Sequence, residues 1–224
     1  MKLPVFRNEH SAVRGATIKG MIVAIEGIDG AGKNTLVTAL VERLDAQVLA
    51  FPRYQESIHA QLAQEALYGR MGDLTDSTYG MATLFALDRH GTKDLLDEYA
   101  QSQQVLLLDR YVASNVAYSV ARTQQPEMAA WVTDLEFGKL QLPVPSLQVL
   151  LNTPADLAQV RARRREHEQE TRTLDRYESD AGLQRRTAEA YAKLADQQWM
   201  SSWLKANPDE SVGEVAERIV QALQ

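Results

Sequence analysis

The sequence contains no cysteine, which removes disulfides, thiolate metal sites and a cysteine nucleophile together. It has no apolar run approaching the ~20 residues that a membrane-spanning helix needs, and no basic-apolar-small leader pattern opens it. The expectation is a cytoplasmic protein with no membrane partner. An excess of positive charge is missing too. Lys and Arg number 24 against 30 Asp and Glu, a net charge of −6, which argues against a nucleic-acid-binding surface. Internal repeats and low-complexity linkers are absent, so nothing marks a second domain. What remains is an ordinary apolar fraction of 45% over 224 residues, enough for one α/β domain with a substantial core.

That domain is organised around MIVAIEGIDGAGKNT, residues 21–35. Ile22–Ile25 reads as a buried strand, Gly27-Ile28-Asp29-Gly30-Ala31-Gly32-Lys33 as a glycine loop, and the leucine-bearing stretch from Thr35 to Leu44 as a helix. The spacing is G-x-x-x-x-G-K, a phosphate-binding P-loop. Its glycines let backbone N–H groups close on phosphate oxygens, the helix N-terminus adds its dipole, and Lys33 adds a cation. Residues Gly27 to Thr35 are therefore the candidate ATP site. One position departs from the pattern. Asn34 stands where a Ser or Thr hydroxyl would hold Mg²⁺, and an amide oxygen is a weaker ligand there. Residues 1–20 are mixed and without periodicity, and read as a non-catalytic extension.

Further strands are expected at Gln47–Phe51, Val105–Leu108, Leu147–Leu151 and from Trp203, each followed by helical spacing. Alternation of this kind predicts a parallel sheet with helices on both faces. Strand ends are where ligands sit in such sheets. Arg53 and Tyr54 leave the second strand, and Asp109, Arg110 and Tyr111 close the third. Arg110 can clamp a phosphate or form a structural pair with its neighbour. A helix capped by Thr75 or Asp76 is expected to run to about Ala100. Phe85 and Arg89 share one of its faces, a pairing able to hold a base, although spacing alone reads Phe85 as core and Arg89 as surface. Asn115 and Tyr118 lie one turn apart on the helix after the third strand. Asn115 can read a base edge, and Tyr118 is equally at home in a core. Helices are also expected over Glu127–Leu140, over Leu183–Leu194 with Tyr191 facing apolar surroundings, and over Asp209–Leu223.

The tract RARRREHEQETRTLDR, residues 161–176, is a charge run of the sort that usually marks a solvated helix face. Its arginines (Arg161, Arg163, Arg164, Arg165, Arg172) suit a lid that closes over nucleotide phosphates. Asp175 and Glu178, flanking Tyr177, can reach a Mg²⁺ together or be exposed acids. No Asn-Lys-x-Asp guanine motif occurs, and a small kinase fits the set best.

From Met21 onward the motifs EGIDGAGKNTL, FPRY, TLFALDRHG, LDRYVASNVAYS and LDRYESD, in that order, resemble the thymidylate kinase family, most closely its mycobacterial-type branch. The resemblance implies a three-layer P-loop kinase fold with a central parallel five-stranded sheet. It implies transfer of the γ-phosphate of ATP to dTMP, Mg²⁺ as cofactor, and a homodimer formed through helix faces. On that basis Arg53 and Arg110 would hold the acceptor phosphate, Phe85 would stack on thymine, and Arg89 and Asn115 would bond its edge. Tyr118 would crowd the sugar 2′ position, and Tyr54 and Tyr177 would line the same pocket. Asp29, Asp175 and Glu178 match metal-site acids, and Lys33, Asp29, Arg110 and the lid arginine Arg165 would be catalytic. Another P-loop kinase acting on dUMP, dCMP or thymidine, or a weakly catalytic nucleotide-binding module, stand as the alternatives.

Overall fold

The computed structural model describes residues 21–168 and 175–224; the extension 1–20 and the lid residue Arg172 lie outside the described residues. Five short apolar stretches form the strands: β1 (Met21–Glu26), β2 (Gln47–Ala50), β3 (Val105–Asp109), β4 (Leu147–Leu151) and β5 (Ser202–Ala206). All pair in parallel in the order β2-β3-β1-β4-β5. The P-loop strand is therefore central, with Ala24 opposite Leu108 on one side and Gln148 on the other.

Alternate residues of these strands enter two cores, as a sheet covered on both faces requires. Val23, Ile25, Leu107 and Val149 meet α1 (Lys33–Leu44) and α10 (Val212–Ala222). Ile22, Ala24, Leu106, Leu108 and Leu150 meet α4 (Lys93–Gln101), α5 (Val112–Thr123) and α9 (Ala181–Asp196). A smaller cluster joins α2 (Ile58–Leu67) and α3 (Thr78–His90) to Tyr177 and Leu183. The short helix α8 (Arg176–Ser179) carries Tyr177. Helix α7 (Ala155–Glu168) follows β4 and holds Arg163, Arg164 and Arg165, whose side chains are outside the description.

Two expected helices are interrupted. The helix foreseen from residue 76 to about 100 is capped by Ser77, whose hydroxyl accepts from the Gly80 N–H, and it stops at Gly91 before α4 begins. Gly91 makes room for Arg53: a Cβ there would lie 2.9 Å from its Nη2. Leu95 is consequently exposed and Leu96 buried. The helix foreseen over 127–140 is α6 (Glu127–Thr133) followed by a π-helical turn, Asp134–Lys139. The wider turn, marked by the five-residue step from Leu140 N–H to Leu135 O, carries Glu136 into complete burial. Apolar spacing does not reveal this, because burial is satisfied there by a charge pair.

Candidate active site

The P-loop departs from β1 at Glu26 and enters α1 through Gly32, whose φ of 101° is a left-handed conformation suited to glycine. Gly30 is needed for a different reason. A Cβ on it would come within 2.1 Å of the Ala158 carbonyl oxygen, so the loop rests directly on the backbone of α7. The Lys33 ammonium donates to the carbonyls of Gly27 (3.2 Å) and Ile28 (3.1 Å). Burial and the nearby Arg110 guanidinium push its pKa down to about 8, against the pull of Asp29, Asp109 and Glu26. Gly30 to Thr35, with Asp29, Asp109 and Arg110, line a cavity of about 730 Å³. Its far wall includes Thr153, Arg161 and the β5–α10 connection at Ala206, Asn207, Pro208 and Glu210. That connection carried no recognisable motif, being generic loop chemistry. At the end of β3, Asp109 Oδ1 is buried without a hydrogen-bond partner among the described residues.

A second cavity of about 330 Å³ adjoins the first, and Asp29, Phe51 and Arg110 border both. It brings together most of the residues singled out in the sequence: Tyr54, Phe85, Arg89, Asn115, Tyr118, Tyr177, Asp175 and Glu178. Arg110 Nη2 donates to Asp29 Oδ1 at 2.6 Å, and the Tyr118 hydroxyl donates to Asp29 Oδ2 at 2.8 Å. Burial alone would raise the Asp29 carboxyl; Arg110, Lys33 and the Tyr118 hydrogen bond hold it well below the usual carboxylate range. The Arg110 guanidinium lies over the Tyr118 ring (5.6 Å), which stacks on Tyr177 (5.8 Å, 14°), which in turn carries Arg122 (4.9 Å). Spacing had made Tyr118 as credible in a core; its ring does pack against the smaller hydrophobic cluster, and it is also the second layer of this four-membered stack.

One end of the cavity is built from Arg89 and Asn115. Arg89, read from spacing as a surface residue, is 3% exposed. It is paired bidentately with Glu136. Arg53 does not border the cavity. Its N–H and Nε donate to the Asp88 carboxylate at 3.0 Å each, and Nη2 donates to the Asp88 carbonyl at 2.7 Å. A fully buried Asp88 requires such a counter-charge. Asp175 is the N-cap of α8: its Oδ1 accepts from the N–H groups of Tyr177 and Glu178, and Glu178 Oε2 accepts from Asp175 N–H. Burial, with Glu178 and Asp29 nearby, pushes its carboxyl up to about 6. Asp29, Asp175 and Glu178 border one cavity, but among the described residues no three acids or histidines converge as a ready-made metal cage.

Behind Arg110 lies a network that the sequence reading missed. Glu26, fully buried, accepts from Tyr111 N–H (2.8 Å), the Ser114 hydroxyl (2.6 Å) and the Tyr191 hydroxyl (3.0 Å). Arg110 Nη1 donates to both hydroxyls at 3.3 Å. Tyr191, expected to face apolar surroundings, does so only with its ring. Its hydroxyl stays neutral, because burial and Glu26 raise its pKa well above the ordinary tyrosine value.

A family model of thymidylate kinases matches residues 25–219. The chain belongs to the thymidylate kinase family. It is 48% identical over 204 residues to the thymidylate kinase of Mycobacterium tuberculosis (strain ATCC 25618 / H37Rv), covering 88% of this chain and 95% of that one. It is 27% identical over 204 residues to a probable thymidylate kinase of Pyrobaculum aerophilum, covering 90% and 97%. A solved thymidylate kinase structure from Candida albicans superposes with a TM-score of 0.67 at 18% identity over 92% of this chain and 91% of that one, a likeness of fold. The mycobacterial likeness accords with the branch suggested by the motifs, and the five-stranded parallel sheet with the expected α/β kinase fold. The family makes the chain an ATP-dependent nucleoside monophosphate kinase.

Proposed function

We propose that the chain transfers the γ-phosphate of ATP to dTMP, giving dTDP and ADP. The observation that carries this is the pair of adjoining cavities, one lined by the P-loop and one by the acceptor residues, sharing Asp29 and Arg110 at their junction. ATP lies with its phosphates on Gly27–Thr35, and dTMP lies with its phosphate toward Arg110. A phosphate oxygen of dTMP forms the new bond to the γ-phosphorus as the bond from that phosphorus to the ADP oxygen breaks. The nucleophile is already ionised, so no general base is required. Catalysis is positioning and charge neutralisation. Lys33 and Arg110 supply fixed cations there, and a lid arginine, Arg165 or a neighbour on the 161–176 segment, supplies another. Asp29 orients Arg110, and the Glu26–Ser114–Tyr191 network holds the same guanidinium from behind. Phe85 stacks on thymine, Arg89 and Asn115 bond its edge, and Tyr54, Tyr118 and Tyr177 enclose the sugar. Arg53, tied to Asp88, steadies the Pro52–Tyr54 turn beside the acceptor phosphate.

Magnesium suits this acidic rim. It needs only one or two carboxylates together with substrate phosphates and water, so the lack of a three-acid cage among the described residues is no obstacle. Asp29, Asp175 and Glu178 would hold it in place of the missing hydroxyl at Asn34, and it would neutralise phosphate charge. The enzyme is further expected to be cytoplasmic; no helix among the described residues is long and apolar enough to cross a membrane. It is also expected to form a homodimer through helix faces, as the family resemblance implies. Residues 1–20 are proposed to be dispensable for turnover. ADP release measured with ATP·Mg²⁺ against dTMP, dUMP, dCMP, thymidine and no acceptor tests the reading: dTMP-selective turnover is expected, and thymidine-selective turnover, or binding without turnover, overturns it.

A further inference from the structure

Glu136 is fully buried, touches no expected substrate atom, and yet bonds both of the groups that face the base. Its Oε1 accepts from Asn115 Nδ2 at 2.7 Å and from Arg89 Nη2 at 2.8 Å, and its Oε2 accepts from Arg89 Nε at 2.5 Å. The other N–H of Asn115 Nδ2 goes to the Ala82 carbonyl at 2.9 Å. Both partners of the amide nitrogen are pure acceptors, so the Asn115 amide has one permitted orientation. Its two N–H donors are spent, and Oδ1 is the polar atom left without a partner among the described residues. Arg89 can only donate, and the bidentate pair through Nε and Nη2 fixes the plane of its guanidinium, with the Nη1 donors left over. One carboxylate therefore fixes an acceptor and a donor at the same end of the cavity.

We infer that Glu136 is a positioning residue of the base site, holding the Asn115 amide with its oxygen free to accept and aiming the remaining donors of Arg89 beside it, so that a base with a ring N–H beside a carbonyl is taken and cytosine refused. This rests on dTMP being the acceptor. Thymine presents N3–H to the Asn115 oxygen and a carbonyl to Arg89. Cytosine presents a bare ring nitrogen to that oxygen and an amino group to that guanidinium, so both contacts set like against like. A buried polar group left facing its own kind loses the bond and keeps the desolvation cost. Uracil passes the same filter, so this device separates thymine from cytosine and leaves dUMP to other contacts. The π-helical turn is what delivers Glu136 to the meeting point of α3 and α5.

Glu136→Gln tests it. A side-chain amide accepts at only one of its two terminal atoms, so at least one N–H of Asn115 or Arg89 must face its NH₂ group, and that partner is released from its fixed orientation. The kcat/KM for dTMP should fall by about 100-fold, and the dCMP-to-dTMP ratio of kcat/KM should rise by at least about tenfold, a part of the roughly 10⁴–10⁵-fold by which a site built to hydrogen-bond its substrate can reject a mismatched one. A merely structural Glu136 would lower both substrates together. An unchanged ratio, or undiminished dTMP turnover, overturns the inference. Cooperative melting of E136Q checks its fold. If it does not fold, Glu136→Asp decides: it keeps the charge but cannot span both partners, and the ratio should rise about threefold, an unchanged ratio overturning the inference. Wild-type enzyme that failed to phosphorylate dTMP would instead sink the proposed function, independently of either variant.

Discussion

Lys33 and Arg110 are two cations that the fold forces close together, and each shows the cost in its surroundings. Arg110 needs Asp29 on one side and the Ser114 and Tyr191 hydroxyls on the other. Lys33, buried beside it, has its pKa pushed down to about 8. An ammonium deprotonates as pH rises, so the cation proposed to meet the ATP phosphates is present below about pH 8 and lost above it. The kcat/KM for ATP, which reports free-enzyme ionisations, should therefore decline above about pH 8; a profile flat to pH 9.5 would contradict the placement. Lys33→Ala and Arg110→Ala should each lower kcat/KM by more than ~100-fold, the scale of one preorganised charge contact, and near-normal turnover in either would remove it from the catalytic set. The P-loop residues were legible because a phosphate cradle needs glycines and a lysine at set intervals. Glu26, Tyr191 and Glu136 were not, because a buried polar residue looks like any other in sequence and takes its meaning from partners 21 to 165 positions away.

At the scale of elements, the strands and the helix after the P-loop followed directly from apolar periodicity, whereas helix ends and the π-helical turn did not. Where α3 stops, Gly91 leaves room for the Arg53 guanidinium, a contact between distant parts of the chain that spacing does not show. The same kind of contact makes Gly30 a joint between the P-loop and α7. Gly30→Ala would push Cβ into the Ala158 carbonyl at 2.1 Å and would strain a backbone at φ 84°. Since the obstacle is backbone, α7 or the loop must move. The expected outcome is a drop in Tm together with weakened ATP binding, read by thermal melting with and without ATP. Loss of stability with ATP affinity intact would mean that α7 alone gives way. Asp175 offers a test with the opposite sign. Its folded pKa of about 6 exceeds the ordinary carboxylate value, so the folded state binds more protons between pH ~4 and 6. By linkage this group's contribution to stability falls as pH rises through that window, and the ionised form is the less stable one above it. Asp175→Asn keeps an N-cap acceptor while removing the buried charge. It should melt no lower than wild type at pH 7.5 and yet require more Mg²⁺ for half-maximal turnover. A lower Tm with unchanged Mg²⁺ dependence would make Asp175 a cap only.

For the whole molecule, the decisive feature is that the two cavities meet. Asp29, Phe51 and Arg110 belong to both, at the ends of β2 and β3 and in the P-loop, so the two cavities share one wall, where the proposed function puts the phosphates of both substrates. A parallel sheet delivers this because all its strand ends point the same way, and the switch in strand order beside β1 opens the crevice there. A single compound in which adenosine and thymidine are joined through a phosphate chain should then fill both cavities at once. The second contact becomes intramolecular after the first, which raises affinity without any new contact being made. Ligand at 100 times its Kd stabilises by ~2.7 kcal/mol, worth roughly 5–11 °C of Tm in a chain of this size. At equal concentration the joined compound should exceed the shift given by either ATP or dTMP alone, and Arg110→Ala should erase most of the excess because the junction loses its cation. A shift no larger than that of the better single nucleotide would mean that the cavities do not communicate through Asp29 and Arg110, and the direct transfer drawn from their adjacency would fall with it.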